Sequence, residues 1–272
     1  MIGSGLRFCK MQGAGNDFVV LDRREDPTPL SAELIAFLAD RRHGVGFDQL
    51  LTIEPPSSSP TVLSYGIWNT DGTKAAQCGN GARCVAAWAW RHGMSRQSSF
   101  WMDSPSGPVQ VWIHAAADIE VSLSQPAFAA ANLPPERAIE PAMPWQKYLP
   151  VSMGNPHAVI EVPRVDDAPV AEWGAALQAS GEFPEGVNVG FVELVDRRRV
   201  RLRVFERGVG ETLACGSGAC AAVAAMRRDG RVDACVDVHL RGGTLRINWP
   251  GVGHPVHMRG PALFVFEGEL CA

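Results

Sequence analysis

The sequence predicts an α+β fold of two pseudo-symmetric domains, each a curved β-sheet or barrel wrapped around a central helix. Three observations carry that prediction. A cysteine motif occurs twice, an almost wholly apolar helical segment follows each copy, and strand-like alternation fills much of the rest.

The repeat sets the plan. Gln77-Cys78-Gly79-Asn80-Gly81-Ala82 and Ala214-Cys215-Gly216-Ser217-Gly218-Ala219 share Cys-Gly-x-Gly-Ala at an interval of 137 residues. The same interval separates Gly93 from Gly230, and Asn69 from Glu206, each of the latter pair following an aromatic residue, Trp68 or Phe205. Further upstream, Gly15-Asn16 and Gly154-Asn155 lie 139 residues apart, as do Gln49 and Asn188. Apolar runs follow the first of these pairs, Phe18 to Leu21 and Ala158 to Ile160. Helix-like stretches, Ser31 to Asp40 and Val170 to Ala179, fall between the marks. The order amide, helix, amide, strand, cysteine, helix therefore runs twice, as in a duplicated domain. The halves divide into residues 1–118 and 119–262, with 263–272 returning to the first.

Cys84 to His92 and Cys220 to Arg228 read as helices. They are rich in alanine, the best helix former, and each stops at or just before a glycine, Gly93 or Gly230. Arginines in the last turn suit the negative end of the helix dipole. Elsewhere these helices are apolar on nearly every face, which calls for burial on all sides. Val109 to Ile113, Val200 to Phe205 and the hairpin Val238 to Trp249 around Gly242-Gly243 read as strands. The basic run Arg197-Arg198-Arg199 leads into the alternating Val200-Arg201-Leu202-Arg203-Val204, so its charges belong to a solvated strand face.

Composition narrows the partners. The 272 residues are 46% apolar and 20% charged, enough for a sizeable core. A net charge of −4 offers nothing to nucleic acid or an anionic membrane. Met1 to Leu6 has no basic stretch leading into an apolar one, and no run reaches membrane-spanning length, so a cytoplasmic location is expected. Seven cysteines, an odd and sparse number, point to free thiols in a reducing compartment. With no Cys-x-x-Cys pair, no metal is expected. Gly13-Ala14-Gly15 lacks the rest of a dinucleotide fingerprint, and nothing singles out Lys10 or Lys74 for a Schiff base, so no cofactor is expected either.

Each repeated cysteine opens a helix at a glycine-rich turn. Free N–H groups and the helix dipole make that place an anion site, and the same field lowers a thiol pKa. Two such half-sites facing one small molecule would hold an amino-acid carboxylate between two sets of N–H groups, with its α-carbon between two sulfurs. Hydrogen bonds to the carboxylate would stabilise a carbanion. One thiolate would take the α-proton from one face while the opposite thiol delivers one to the other. That is the chemistry of a cofactor-independent epimerase. Cys9, Cys84, Cys220, Cys235 and Cys271 read instead as small buried core thiols.

The chain resembles the diaminopimelate epimerase family. The resemblance rests on Lys10-Met11-Gln12-Gly13-Ala14-Gly15-Asn16-Asp17-Phe18, Gly46-Phe47-Asp48-Gln49-Leu50, Asn69 to Gly72, Ala76 to Cys84, Met153-Gly154-Asn155-Pro156-His157, Gly186 to Phe191, Phe205 to Thr212 and Cys215 to Cys220. Together these cover nearly the whole chain in the family's order. The resemblance implies interconversion of LL- and meso-2,6-diaminopimelate, on the route to lysine and wall precursors, by a homodimer without cofactor or metal. It implies Cys78 and Cys215 as the acid–base pair. Gly79, Asn80, Gly216 and Ser217 would grip the reacting carboxylate, and Asn16, Gln49, Asn69, Asn155, Asn188, Glu206 and Arg207 would hold the rest. Gln12, where many members carry histidine, and Thr70, where alanine is common, depart from the pattern. His157 is expected to support the site from behind.

This substrate makes chemical sense of Glu206-Arg207: a distal ammonium needs an anion and a distal carboxylate needs a cation. Two rivals remain. One is a related two-cysteine racemase of the proline or hydroxyproline type. The other is a thiol protein with a redox or metal-binding role and no isomerase activity.

Overall fold

A computed structural model describes residues 5–26, 28–134 and 148–270 of the chain. The chain divides into two units, Met1–Val121 with Gly260–Ala272, and Ser122–Arg259.

The first unit begins with β1 (Arg7–Gly13) and β2 (Asn16–Asp22), an antiparallel hairpin in which Gly13 faces Asn16. The two residues between them, Ala14 and Gly15, have φ of 53° and 86°. Positive φ at both central positions is the tight turn whose twist suits two paired strands. Helix α1 (Ala32–Ala39) follows, capped by Ser31, whose side chain accepts from Leu34 N–H at 3.2 Å. It carries the chain to β3 (Gln49–Glu54), parallel to β2, and packs Ile35 and Leu38 against Val19, Leu21, Phe47 and Leu50. Then come β4 (Ser64–Asn69), antiparallel to β3, helix α2 (Gly79–Arg91), and β5 (Ser99–Ser104), β6 (Gly107–Ala115) and β7 (Asp118–Leu123).

The second unit repeats this connectivity. Strands β8 (Leu149–Ser152) and β9 (Pro156–Glu161) form an antiparallel pair. Helix α3 (Val170–Ala179) leads to β10 (Asn188–Asp196), parallel to β9, and buries Val170 and Leu177 in a cluster with Phe183, Val189 and Phe191. Next are β11 (Arg199–Glu206), antiparallel to β10, the short β12 (Gly210–Thr212) and helix α4 (Gly216–Arg228). Strands β13 (Cys235–Leu240), β14 (Gly243–Asn248) and β15 (Val256–Pro261) follow, and β16 (Leu263–Glu269) returns to pair with β1 in the first unit.

Helix α2 touches β1, β2, β3 and β6. Strands β1 and β6 lie far apart in the sheet order β16-β1-β2-β3-β4-β5-β6-β7, so the sheet must curve around the helix to reach it from both sides. Every residue of α2 from Gly79 to Ala89 is buried. In the second unit α4 touches β8, β9, β10, β11 and β14, and its alanine-rich body is buried likewise. An apolar helix of this kind gains from burial on every side, about 25 cal/mol per Å² of apolar surface removed from water. The α+β architecture read from the sequence, with a curved sheet around a central helix in each half, is the one observed.

Both helices begin earlier than their apolar segments suggest, at Gly79 and Gly216, with Cys78 and Cys215 as the N-caps. Gly93 and Gly230, at φ of 68° and 70°, stand just past their ends. On β11, Val200, Leu202 and Val204 are buried while Arg199 is exposed, as the alternation requires. Cys9, Cys84 and Cys220 are buried core thiols. Cys235 is not: it is exposed, because alternation along β13 turns Val236 and Val238 inward and Cys235 outward. Cys271 lies outside the described residues. No helix among the described residues is long and apolar enough to cross a membrane.

Candidate active site

Strand direction gathers the side-chain amides. In the first unit Asn16 opens β2, Gln49 opens the parallel β3, and Asn69 closes the antiparallel β4. All three therefore stand at one end of the sheet. Gln49 faces Asn69 across the ladder and donates from Nε2 to its Oδ1 at 3.2 Å. Asn69 in turn donates to the Thr73 hydroxyl at 3.0 Å across the turn at Gly72. The chain then enters α2 at the same end.

Cys78 is placed by that helix start. Its sulfur accepts the Gly81 N–H at 3.3 Å and lies 3.8 Å from Oδ1 of Asn16. Asn80, buried in the first turn, has Nδ2 3.5 Å from the same Asn16 oxygen. Gly79 and Asn80 follow the cap, where backbone N–H groups lack carbonyl partners within the helix. Gln12, on the neighbouring hairpin, accepts the Gly15 N–H at 3.1 Å and so steadies the turn into Asn16.

The second unit builds a like arrangement. Asn155 precedes β9, Asn188 opens the parallel β10, and Glu206 closes the antiparallel β11. The Arg207 N–H donates to Asn188 Oδ1 at 3.0 Å, and the Arg207 guanidinium donates to the Glu185 carbonyl. Asn155 Oδ1 lies 3.1 Å from Nε2 of His157, which is wholly buried beneath it. Burial, and then the positive charge of Arg207, push His157 down to about 3, so the ring is neutral and presents a nitrogen to that amide. The Thr212 hydroxyl donates to Glu206 at 2.5 Å. Cys215 has its sulfur 3.6 Å from the Ser217 hydroxyl, where Asn80 stands in the first unit. Gly216 begins α4 directly after it.

One expectation is reversed. A helix start tends to lower a thiol pKa, yet the Cys215 thiol is pushed well above its ordinary value. Burial is the main cause, the nearby Glu206 carboxylate adds to it, and hydrogen bonds from Ser217 and Gly218 oppose it without prevailing. Burial beside that carboxylate favours the protonated form of Cys215.

Partners absent from the sequence reading are Thr73 on Asn69, Thr212 on Glu206, and the charged cluster behind Asn16. Asp48 accepts from Asn16 Nδ2 at 2.7 Å, and Arg41 bridges Asp48 and Asp17. Thr73 and Thr212 lie four and six residues from Asn69 and Glu206 across glycine-containing turns, within reach of local spacing; the charged cluster is set by tertiary structure. Among the described residues no group of histidine, cysteine and carboxylate side chains is arranged to hold a metal ion.

The family described as diaminopimelate epimerase matches this chain over residues 8–128 and 149–265. A diaminopimelate epimerase of Xanthomonas euvesicatoria pv. vesicatoria (strain 85-10) is 55% identical, covering 97% of this chain and 96% of its own. An O-ureido-serine racemase of Streptomyces lavendulae is 53% identical over 98% of this chain and 96% of its own. Among solved structures, a hydroxyproline epimerase from Agrobacterium vitis superposes with a TM-score of 0.74 at 15% identity, covering 99% of this chain and 93% of that one. That last likeness speaks to the fold alone. Both cysteine-capped helices and the amides at the strand ends fall inside the matched residues, and the chain belongs to the diaminopimelate epimerase family.

Proposed function

We propose that this chain is an isomerase that interconverts LL- and meso-2,6-diaminopimelate, in lysine biosynthesis, by proton transfer at one α-carbon. One observation carries the reading: each unit places a cysteine as the N-cap of a buried helix, at the end of a sheet where side-chain amides collect. The reaction needs an acid and a base of like strength on opposite faces of one carbon, and a duplicated half-site supplies two equivalent thiols. In one direction a thiolate removes the α-hydrogen as a proton and becomes a thiol. The electron pair left on carbon is delocalised into the carboxylate, held by N–H groups of Gly79, Asn80, Gly216 and Ser217. The opposite thiol then protonates the other face and becomes the thiolate. Asn16, Gln49, Asn69, Asn155 and Asn188 hold the substrate's remaining polar groups, Glu206 its distal ammonium and Arg207 its distal carboxylate. His157 keeps Asn155 in place.

The deciding experiment incubates the protein with LL-diaminopimelate in heavy water. Deuterium should enter the α-position as the meso isomer forms, and Cys78→Ser or Cys215→Ser should each lower epimerisation by roughly 10²-fold or more. No exchange by the native protein would overturn the reading. The 53% identity to an O-ureido-serine racemase supports a second reading, racemisation of that amino acid by the same two thiols. Its ureido end carries no carboxylate, so Arg207→Met should raise KM for diaminopimelate and leave turnover of O-ureidoserine unchanged. A homodimer in the cytoplasm completes the proposal. The outer strand β16 exposes Leu263, Val265 and Phe266, and sedimentation tests the mass.

A further inference from the structure

We propose that Asp48 is a positioning residue that acts through the Asn16 side chain to keep its Oδ1 turned toward the sulfur of Cys78. The orientation of that amide is demanded from both sides. A carboxylate only accepts hydrogen bonds, so the atom of Asn16 facing Asp48 Oδ2 at 2.7 Å must be the NH₂ group. On the other side, the buried Arg83 only donates, and its Nη2 lies 2.8 Å from Asn80. Asn80 must meet it with Oδ1, which leaves the Asn80 NH₂ facing Asn16, and Asn16 must answer with its oxygen, 3.5 Å away. A cation, two amides and an anion thus form one directed series, Arg83 to Asn80 to Asn16 to Asp48. Cys78 stands beside the oxygen at its middle, 3.8 Å away.

Asp48 is itself held. Its Oδ2 also accepts the Asp17 N–H at 3.1 Å, and its own N–H donates to Asp17 Oδ1 at 3.0 Å. Arg41 reaches Asp17 at 2.8 Å and Asp48 at 2.9 Å, and Lys10 pairs with Asp17 at 2.6 Å. Burial alone would raise the Asp17 carboxyl, but the hydrogen bonds and charges of Arg41 and Lys10 hold it well below the usual carboxylate range. Arg41 thus pins the Asp48 carboxylate beside Asp17, and a group that only accepts admits one orientation of Asn16.

The consequence falls on the thiol. An amide oxygen beside sulfur accepts from S–H and favours the protonated form, whereas an NH₂ group there would donate to the thiolate and favour that form. Tyr65 on β4 and Cys84 on α2 are titratable groups coupled electrostatically to Cys78. Burial raises both, Cys84 to about 12, so neither changes charge over the working range. The inference rests on Cys78 being a reacting thiol, but its test uses alkylation and is independent of any substrate.

Cys78 and Cys215 are alkylated with iodoacetamide across a pH series and each is followed by peptide mass analysis, in the native protein, Asp48→Ala, Asn16→Ala and the double variant. Without Asp48 the Asn16 amide is free to turn. The Cys78 profile should move to lower pH, with its rate below the midpoint rising about tenfold, the equivalent of one pKa unit. The Cys215 profile should stay where it is. In the Asn16→Ala background, Asp48→Ala should add nothing. An unmoved Cys78 profile, a shift shared by both thiols, or an undiminished effect of Asp48→Ala without Asn16 would each overturn the proposal. Should Asp48→Ala fail to fold, Asp48→Leu keeps much of the volume and offers Asn16 no acceptor. It should move Cys78 the same way, and an unmoved profile would again overturn the proposal.

Discussion

The side chain of Arg207 crosses so closely over Gly186 that a β-carbon there would lie 2.6 Å from its Cδ. Gly186 also has φ of 75°, a conformation that costs an L-residue about 1–2 kcal/mol. Gly186→Ala should therefore displace the guanidinium from its place beside the Glu185 carbonyl and strain the turn into Asn188. If Arg207 binds the distal carboxylate, KM for diaminopimelate should rise about tenfold, some 1.4 kcal/mol of binding, with kcat changed much less. Steady-state kinetics alongside a denaturation curve separate the two effects. An unchanged KM in a folded variant would remove Arg207 from substrate recognition.

Glu206 bears on Cys215 as well as on substrate. After burial, its negative charge is the main influence raising that thiol, and Thr212 holds the carboxylate by a 2.5 Å hydrogen bond. Glu206→Gln removes the charge and keeps the shape. The Cys215 pKa should fall, so its alkylation at a given pH below the midpoint should speed up while Cys78 is unaffected. Turnover of diaminopimelate should drop nonetheless, since the anion for the distal ammonium is gone. Slower alkylation of Cys215 would contradict the assigned sign.

How much of this the sequence carries depends on the range of the interaction. Helix α3 runs from Val170 to Ala179, the very span its pattern suggests, because helix propensity and periodicity are local. The strand-end amides Asn16, Gln49 and Asn188 stand out because duplication marks the same place twice. Asp48 does not stand out as the partner of Asn16, since their contact spans 32 positions and no repeat copies it. Cys235 and Cys215 fail for a different reason. The exposure of the first depends on which face of β13 turns outward. The protonation of the second depends on how completely α4 is enclosed, and that burial outweighs the helix field that a local reading detects.

His157 gives a pH signature to stability. Buried and neutral, with its pKa pushed down to about 3, it takes no proton in the folded state until well below the ordinary value near 6.5. The unfolded chain takes that proton as pH falls through 6.5. Between those values the unfolded state binds more protons, so this group makes stability fall with falling pH, by up to about 1.4 kcal/mol per pH unit. His157→Gln removes the contribution and retains an NH₂ group for Asn155. Denaturation at several pH values should show the variant gaining on the native protein as pH drops from 7 toward 4. A difference independent of pH would mean the folded ring takes its proton as readily as the unfolded chain does.

Asp103 predicts a titration of the same sign at lower pH. Its carboxylate, 6% exposed, collects the N–H and hydroxyl of Ser57 and of Ser58 and the hydroxyl of Thr61, at 2.7–3.1 Å, tying that loop to β5. Burial would raise this carboxyl, but the hydrogen bonds from Thr61, Ser58 and Ser57 prevail and hold it at about 2. A folded pKa below the unfolded value of 3.8 means the stabilisation is complete above about pH 4 and is lost as pH falls through 2. Asp103→Asn sets an NH₂ group against donors and should cost about 2 kcal/mol at neutral pH. That cost should shrink as pH drops from 4 toward 2, where the native carboxyl also gains a proton, and alkylation of Cys78 and Cys215 should be unaffected throughout. Urea denaturation of both proteins at neutral pH and near pH 3 checks this, and a cost that persists undiminished in acid would mean the loop is held by shape rather than by the charge.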